Sequence, residues 1–315
     1  MRPLGFRLLL LLLALALTAA SPVPAQQTAP SKPASAAKRR PAFRWVNPPK
    51  GSLAAGVWHR TFDSKIAGEP VGYVVALPPG YDEQPAKRYP VLYYLHGGRP
   101  GSELKSASLG PMMRALMTDG AIAPMIVVFP NGGPVSHYDT PAEDDINQDQ
   151  TQGATVFLTE LIPHIDATFR TQAERSGRHL MGFSQGGRGT ARLALRHPEL
   201  FATAAPGGGG FATEKRISES DGYEHPRLRF APGDNAYDLA KRYAERRAAG
   251  DAPDLPLLFW VGTKGFNYEN NLAYMAMLDE LGVPYEKIIV PGVKHNGREL
   301  FERRGADLMR FHQGD

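Results

Sequence analysis

The sequence predicts an α/β fold, a mainly parallel eight-stranded sheet with helices on both faces. Three observations lead there. From Arg44 onward short β-rich runs alternate with helical stretches, the pattern of strands joined by crossover helices. The run Pro90 to Leu95 (PVLYYL) is continuously apolar, as expected of a strand covered on both faces. Gly182-Phe183-Ser184-Gln185-Gly186 stands between the apolar pair Leu180-Met181 and a helical run, so strand, tight turn and helix follow in order. With 315 residues, 42% of them hydrophobic, the chain can bury one full-size core and gives no sign of a second domain of similar size.

Each element has its own signal. Val57 to Phe62 and Val71 to Leu77 are the opening strands, and Pro78-Pro79-Gly80 forms the turn after the second. Met125 to Phe129 (MIVVF) is a further fully apolar strand. Arg178 to Met181 supplies the short strand before the serine; Phe201 to Ala205, Leu257 to Val261 and Lys287 to Val290 complete the set of eight. Helices are expected at Leu109 to Thr118, Thr155 to Phe169, Arg188 to Arg196, Ala236 to Ala249, Tyr268 to Leu281 and Gly297 to His312. In the second of these Val156, Leu158, Leu161, Ile162 and Ile165 fall largely on one face, and Pro163 is expected to kink or split the helix. His197-Pro198 ends the third.

The first 43 residues read differently. Arg2 and Arg7 precede an unbroken apolar run from Leu8 to Leu17, followed by small residues, so residues 1–25 read as a secretory signal peptide. A run of ten is too short to span a bilayer, and no stable membrane anchor is expected after cleavage. Residues 26–43, rich in Pro, Ala, Ser and Gln, read as a disordered linker, which leaves 44–315 as the catalytic domain. Residues 1–43 carry six Lys or Arg and no acid, so 30 basic groups face 32 acidic ones from Arg44 onward. The formal charge of +4 therefore belongs to the leader, and nucleic acid is rejected as a partner. The chain has no cysteine, which excludes disulfides, thiolate catalysis and Cys-ligated metal sites. A periplasmic or secreted location fits these features.

The glycine-flanked serine has the form of a nucleophile elbow, where a strained strand-to-helix turn exposes the Ser184 hydroxyl. The strand Pro90 to Leu95 runs into His96-Gly97-Gly98, and glycines there let backbone N–H groups approach a substrate. Gly98 and Gln185 are the expected oxyanion donors, with His96 a structural residue beneath the loop. A serine needs a base, and His295, in a loop after the last strand, follows it in the required order. His164, His179 and His197 read as structural. The acid is awkward to place: Glu269 is the first carboxylate after the strand Leu257 to Val261, and Asp234 after the preceding strand is the second candidate, with another group or no acid at all as the third reading. Gly207 to Gly210 lacks the GK[ST] ending of a phosphate loop and reads as making room near the site. Asp145 to Asp149 imitates the start of a calcium loop, but Gln150 and Val156 at the sixth and twelfth positions exclude an EF-hand. No metal ligand set and no cofactor is expected.

YYLHGG at Tyr93 to Gly98, LIPHIDATFRT at Leu161 to Thr171, MGFSQGGRG at Met181 to Gly189 and PGVKH at Pro291 to His295 together resemble the esterase D-like branch of the α/β-hydrolases. That branch includes feruloyl and acetyl xylan esterases, S-formylglutathione hydrolases, enterochelin esterases and mycolyltransferases. The resemblance implies an α/β-hydrolase fold, Ser184 as nucleophile, His295 as base and Gly98 with Gln185 as oxyanion donors. One departure stands out: the resemblance implies an aspartate, usual in the family's GTxD stretch, where this chain has Gly262-Thr263-Lys264-Gly265. The expected function is that of an exported serine carboxylic-ester hydrolase acting on a small-molecule or carbohydrate-linked ester. An acyltransferase using the same acyl-enzyme, or a weakly active or non-catalytic ester-binding relative, is the alternative.

Overall fold

The computed structural model of the protein describes residues 42–98, 100–137, 139, 152–211, 223–225, 228–229, 231 and 233–314. The expected signal peptide, all but the last two positions of the expected linker, and the calcium-like run at 145–149 lie outside them. Phe43 already packs edge-on against Trp45, with ring centroids 5.0 Å apart, so folded structure begins within the stretch read as linker.

Eight strands form one sheet: β1 (Val57–Asp63), β2 (Pro70–Ala76), β3 (Val91–Leu95), β4 (Ile126–Pro130), β5 (Arg178–Phe183), β6 (Thr203–Gly207), β9 (Leu258–Lys264) and β10 (Glu286–Lys294). Their spatial order is β1-β2-β4-β3-β5-β6-β9-β10, and β7 (Tyr223–His225) with β8 (Leu228–Arg229) make a separate two-stranded ribbon. Within the eight-stranded sheet only the pairs β1/β2 and β2/β4 are antiparallel; β4, β3, β5, β6, β9 and β10 run parallel. Each of the eight strands expected from the sequence is present, with ends displaced by a few residues at most. In β3 the side chains alternate between two buried layers, Val91, Tyr93 and Leu95 in one and Leu92 and Tyr94 in the other. Helices on both faces cover those layers, which is why the strand can be apolar throughout.

The helices are α1 (Gly110–Thr118), α2 (Gly153–Thr155), α3 (Ile162–Thr168), α4 (Gln185–Arg196), α5 (Ala236–Ala248), α6 (Tyr268–Glu280) and α7 (Gly297–Phe311). Between α2 and α3 the chain is π-helical over Val156–Leu161. Pro163 lies in the first turn of α3, where its missing N–H is tolerated, so it marks a change of helix type. The helix α4 is the most enclosed, buried from Gly186 to Leu195. Its Arg192, 1% exposed, donates to the backbone oxygens of His137 (3.1 Å) and Asp234 (2.6 Å) and pairs with the Asp234 carboxylate. Among the described residues no helix is long and apolar enough to cross a membrane.

Two histidine pairs sit in this core, with no carboxylate bonded to either among the described residues. His179 on β5 and His312 after α7 share the Thr203 hydroxyl at 2.8 and 2.6 Å, and His96 and His137 stack with centroids 4.6 Å apart. Burial pushes all four below the ordinary histidine value of 6.5, His137 and His179 to about 4. Between pH 6.5 and 4 the unfolded chain therefore binds protons that the folded chain does not, and stability falls as pH falls. The thermal midpoint is expected to drop steadily across that window; a midpoint unchanged between pH 6.5 and 4.5 would contradict it.

Candidate active site

The parallel strands end on one edge of the sheet, and five of the six contribute a site loop there. His96–Gly98 follows β3, Ser184 follows β5, Gly208–Gly210 follows β6, Asn267 follows β9 and His295 follows β10. A crevice outside the carboxyl ends of parallel strands is where open α/β sheets bind ligands.

Ser184 has φ +62° and ψ −121°, one of two non-glycine residues with positive φ among those described. That conformation costs of order 1–3 kcal/mol and survives only when the surroundings over-determine it. Here β5 pairs with β3 up to Leu95 opposite Gly182 and with β6 up to Phe183 opposite Gly207, and the Ser184 N–H donates to Gly207 O at 2.8 Å. The chain then turns at once into α4. The turn is tight enough that a Cβ on Gly186 would lie 2.0 Å from Leu95 O, and one on Gly182 would lie 2.5 Å from Gly186 O.

At this elbow the Ser184 hydroxyl lies 2.9 Å from His295 Nε2. The other ring nitrogen, Nδ1, is 3.1 Å from Asn267 Oδ1. An amide oxygen only accepts, so Nδ1 carries the proton and Nε2 is left free to accept from Ser184. The ring is packed between Phe183 and Phe266, with centroids 4.7 and 4.3 Å away. Burial holds His295 below the ordinary 6.5. His295 reaches Ser184 because β10 bulges: Val290 faces Gly262 and Lys294 faces Lys264, so four residues of β10 advance while β9 advances two.

The family model described as "Putative esterase" matches residues 64–274, more than half of the chain. The chain belongs to this esterase family. An esterase of Mycobacterium tuberculosis is 34% identical over 150 residues, which are 47% of this chain and 31% of that protein. An endo-1,4-beta-xylanase/feruloyl esterase of Xylanibacter ruminicola is 30% identical over 195 residues, covering 60% of this chain and 26% of that one. The matches thus span about a third or less of these relatives' length. Among solved structures, a ferulic acid esterase superposes with a TM-score of 0.63 at 21% identity, covering 81% of this chain and 97% of its own. An S-formylglutathione hydrolase of Staphylococcus aureus does so at 0.60 and 20%, covering 81% and 98%. The fold is that of the α/β-hydrolase esterases.

Against this family background the glycine loop after β3 is firmly anchored. His96 donates from Nδ1 to Gly97 O at 3.2 Å and accepts at Nε2 from the Gly132 N–H at 3.0 Å, one neutral tautomer serving both. His137, at φ +63°, donates from Nε2 to His96 O at 3.1 Å. Ser136 Oγ donates to Gly98 O, and Lys105 Nζ lies 3.4 Å from Gly97 O. A Cβ on Gly97 would be 2.9 Å from Ser184 Cβ, so the loop rests directly against the elbow. Beside it opens a cleft of about 320 Å³ lined by Tyr94, Gly97, Lys105, Phe183, Gly297 and Arg298, among others.

The two carboxylates read from the sequence stand apart from this assembly. Glu269 is exposed in the first turn of α6, where an acid complements the helix dipole, and it makes no hydrogen bond to His295. Asp234 is bound to Arg192 and, at 3.4 Å, to Arg196. The partner of His295 is Asn267, which the sequence reading passed over. Gly207 does make room, since a Cβ there would strike the Trp260 ring, but the run has a second part: Gly208 O and Gly209 O accept from the amides of Asn267 and Asn271. Among the described residues no three His, Asp or Glu side chains converge to hold a metal ion.

Three substitutions separate these assignments. Gly186→Ala is expected to lower stability by about 1–3 kcal/mol through overpacking and to lose activity, read by thermal melting and an ester assay. Asp234→Ala removes the carboxylate that pairs with the buried Arg192 guanidinium and is expected to cost about 1–3 kcal/mol in denaturant unfolding. Glu269→Gln is expected to keep kcat/KM within about twofold, since an exposed carboxylate in high dielectric contributes little; a hundredfold loss would return Glu269 to the site.

Proposed function

We propose that this chain is an exported serine ester hydrolase working through an acyl-enzyme. The observation that carries the reading is the 2.9 Å contact of Ser184 Oγ with His295 Nε2 at a backbone held at φ +62°. In the forward step His295 Nε2 takes the hydroxyl proton as Oγ attacks the ester carbonyl carbon. The carbonyl oxygen becomes an oxyanion, with the Gly98 and Gln185 N–H groups as its donors.

Physical arguments support both donors. A trans peptide sets N–H opposite C=O, so anchoring Gly97 O on His96 and Lys105 turns the Gly98 N–H the other way. Gln185 is the first residue of α4, and first-turn N–H groups have no partner within the helix and carry its positive end. Collapse of the intermediate expels the alcohol, protonated by His295, and leaves the acyl group on Ser184. Water then attacks, His295 again taking its proton and passing it to Ser184 Oγ as the acyl–oxygen bond breaks and the carboxylic acid departs.

A small-molecule or carbohydrate-linked ester fits as substrate. The cleft beside Gly97 offers the rings of Tyr94 and Phe183 with the cationic Lys105 and Arg298, and the xylanase-linked relative acts on feruloyl esters by its name. The Arg2, Arg7 and Leu8 to Leu17 pattern supports export to the periplasm or exterior.

The test uses a fluorophosphonate probe together with p-nitrophenyl acetate and butyrate. Ser184 is expected to be the labelled residue, and Ser184→Ala to abolish labelling and lower turnover by about a thousandfold or more. Absence of both labelling and turnover in the folded wild type would sink the proposal.

A further inference from the structure

We infer that Asn267 is the positioning residue of His295, a neutral amide doing the orienting work that relatives assign to a carboxylate. The inference rests on the reading of Ser184 and His295 as nucleophile and base. Four observations carry it.

The first is geometry. Asn267 is 2% exposed, its Oδ1 lies 3.1 Å from His295 Nδ1, and among the described residues Asn267 and Ser184 are the two hydrogen-bond partners of the ring.

The second is the direction of the amide. Asn267 Nδ2 donates to Gly208 O. Reversing the amide would set Oδ1 against that carbonyl oxygen, so Oδ1 is committed to face His295. This matters because asparagine in place of a triad aspartate is ordinarily ruinous: in trypsin-like proteases it costs ~10⁴ in kcat by holding the wrong histidine tautomer. That loss arises when the amide N–H faces the ring. Here the amide N–H is spent on Gly208, and Nδ1 keeps its proton. Cysteine proteases of the Cys-His-Asn type use the same logic.

The third is what Asn267 gives up. It occupies the N-cap position of α6, where asparagine ordinarily accepts from an N–H of the first turn. Asn235 and Asn296, at the N-caps of α5 and α7, do so at 2.9 and 3.2 Å, to Asp238 N–H and Glu299 N–H. Asn267 makes no such cap bond, and its side chain turns instead to His295 and Gly208.

The fourth is Gly265. A Cβ there would start 3.4 Å from Asn267 Oδ1 and 3.8 Å from His295 N. The position where the family resemblance implies an aspartate therefore borders the same hydrogen bond, and the glycine leaves that space to the amide.

A consequence follows for the chemistry. The amide fixes the ring but brings no negative charge to the imidazolium that forms as Ser184 is deprotonated. Burial opposes the charged form of the ring and lowers its pKa from the ordinary 6.5.

The experiment compares pH profiles of kcat and KM on p-nitrophenyl acetate for wild type, Asn267→Ala, Asn267→Asp and the double variant Asn267→Ala with Gly265→Asp, each checked by thermal melting. Asn267→Ala is expected to lower kcat by about a hundredfold with KM within about threefold. Asn267→Asp is expected to stay active and to move the acid limb up by about 1 to 3 pH units, the effect of an adjacent carboxylate. Adding Gly265→Asp to the alanine variant is expected to recover kcat at least about tenfold. Wild-type kcat in Asn267→Ala, or an acid limb that Asn267→Asp leaves in place, would overturn the inference; should the alanine variant fail to fold, the aspartate profile decides alone. Ser184→Ala separates the two proposals: if it retains turnover, the nucleophile reading falls first, whereas a dead Ser184→Ala beside a fully active Asn267→Ala removes only the role of Asn267.

Discussion

The backbone of Ser184, held in a region that amino acids with side chains avoid, is the constraint on which the site depends. A strand that ended without strain would let the serine relax to an ordinary conformation and turn its hydroxyl from His295. The strain is maintained from several sides: β5 is hydrogen-bonded to both neighbours up to the turn, the Ser184 N–H is held by Gly207 O, and α4 begins at the next residue. Glycines at 182 and 186 are required by close approach, because backbone oxygens occupy the places where their side chains would start. An esterase of this fold thus holds an aimed hydroxyl at a cost in local stability, beside the enclosed helix α4.

Around that fixed point the remaining groups are brought in by ends of strands. The bulge in β10 carries His295 across to Ser184, the turn after β9 brings Asn267 under the ring, and the glycines after β6 accept the amides that hold Asn267 in place. Beneath the loop after β3, His96 and His137 stay neutral because burial opposes their charging, and as neutral rings each can donate at one nitrogen while His96 also accepts at the other. A charged pair there would repel.

The sheet was legible in the sequence because strands buried on both faces leave an unmistakable record, and PVLYYL and MIVVF were such records. The elbow and the glycine loop were legible for a different reason: close backbone approach leaves glycine as the only choice. The acid was not. Glu269 drew attention as the first carboxylate after β9, yet a residue in the first turn of a helix faces water as readily as a site. Asp234 lay in a promising loop, but its partner Arg192 is one of several arginines in a helix whose inward faces no pattern announces. Asn267 was hidden by its position, since asparagine just before a helix ordinarily reads as a cap. The one signal that could have found it was Gly265, which removes the expected carboxylate and directs attention to the neighbouring polar residues.

A crystal structure of the folded enzyme after reaction with a fluorophosphonate would test the central claim most directly. The account predicts phosphorus bonded to Ser184 Oγ, Ser184 still at positive φ, the phosphonyl oxygen within hydrogen-bond distance of the Gly98 and Gln185 nitrogens, and His295 Nδ1 still on Asn267 Oδ1. An adduct on another residue, or a phosphonyl oxygen turned away from both nitrogens, would contradict it.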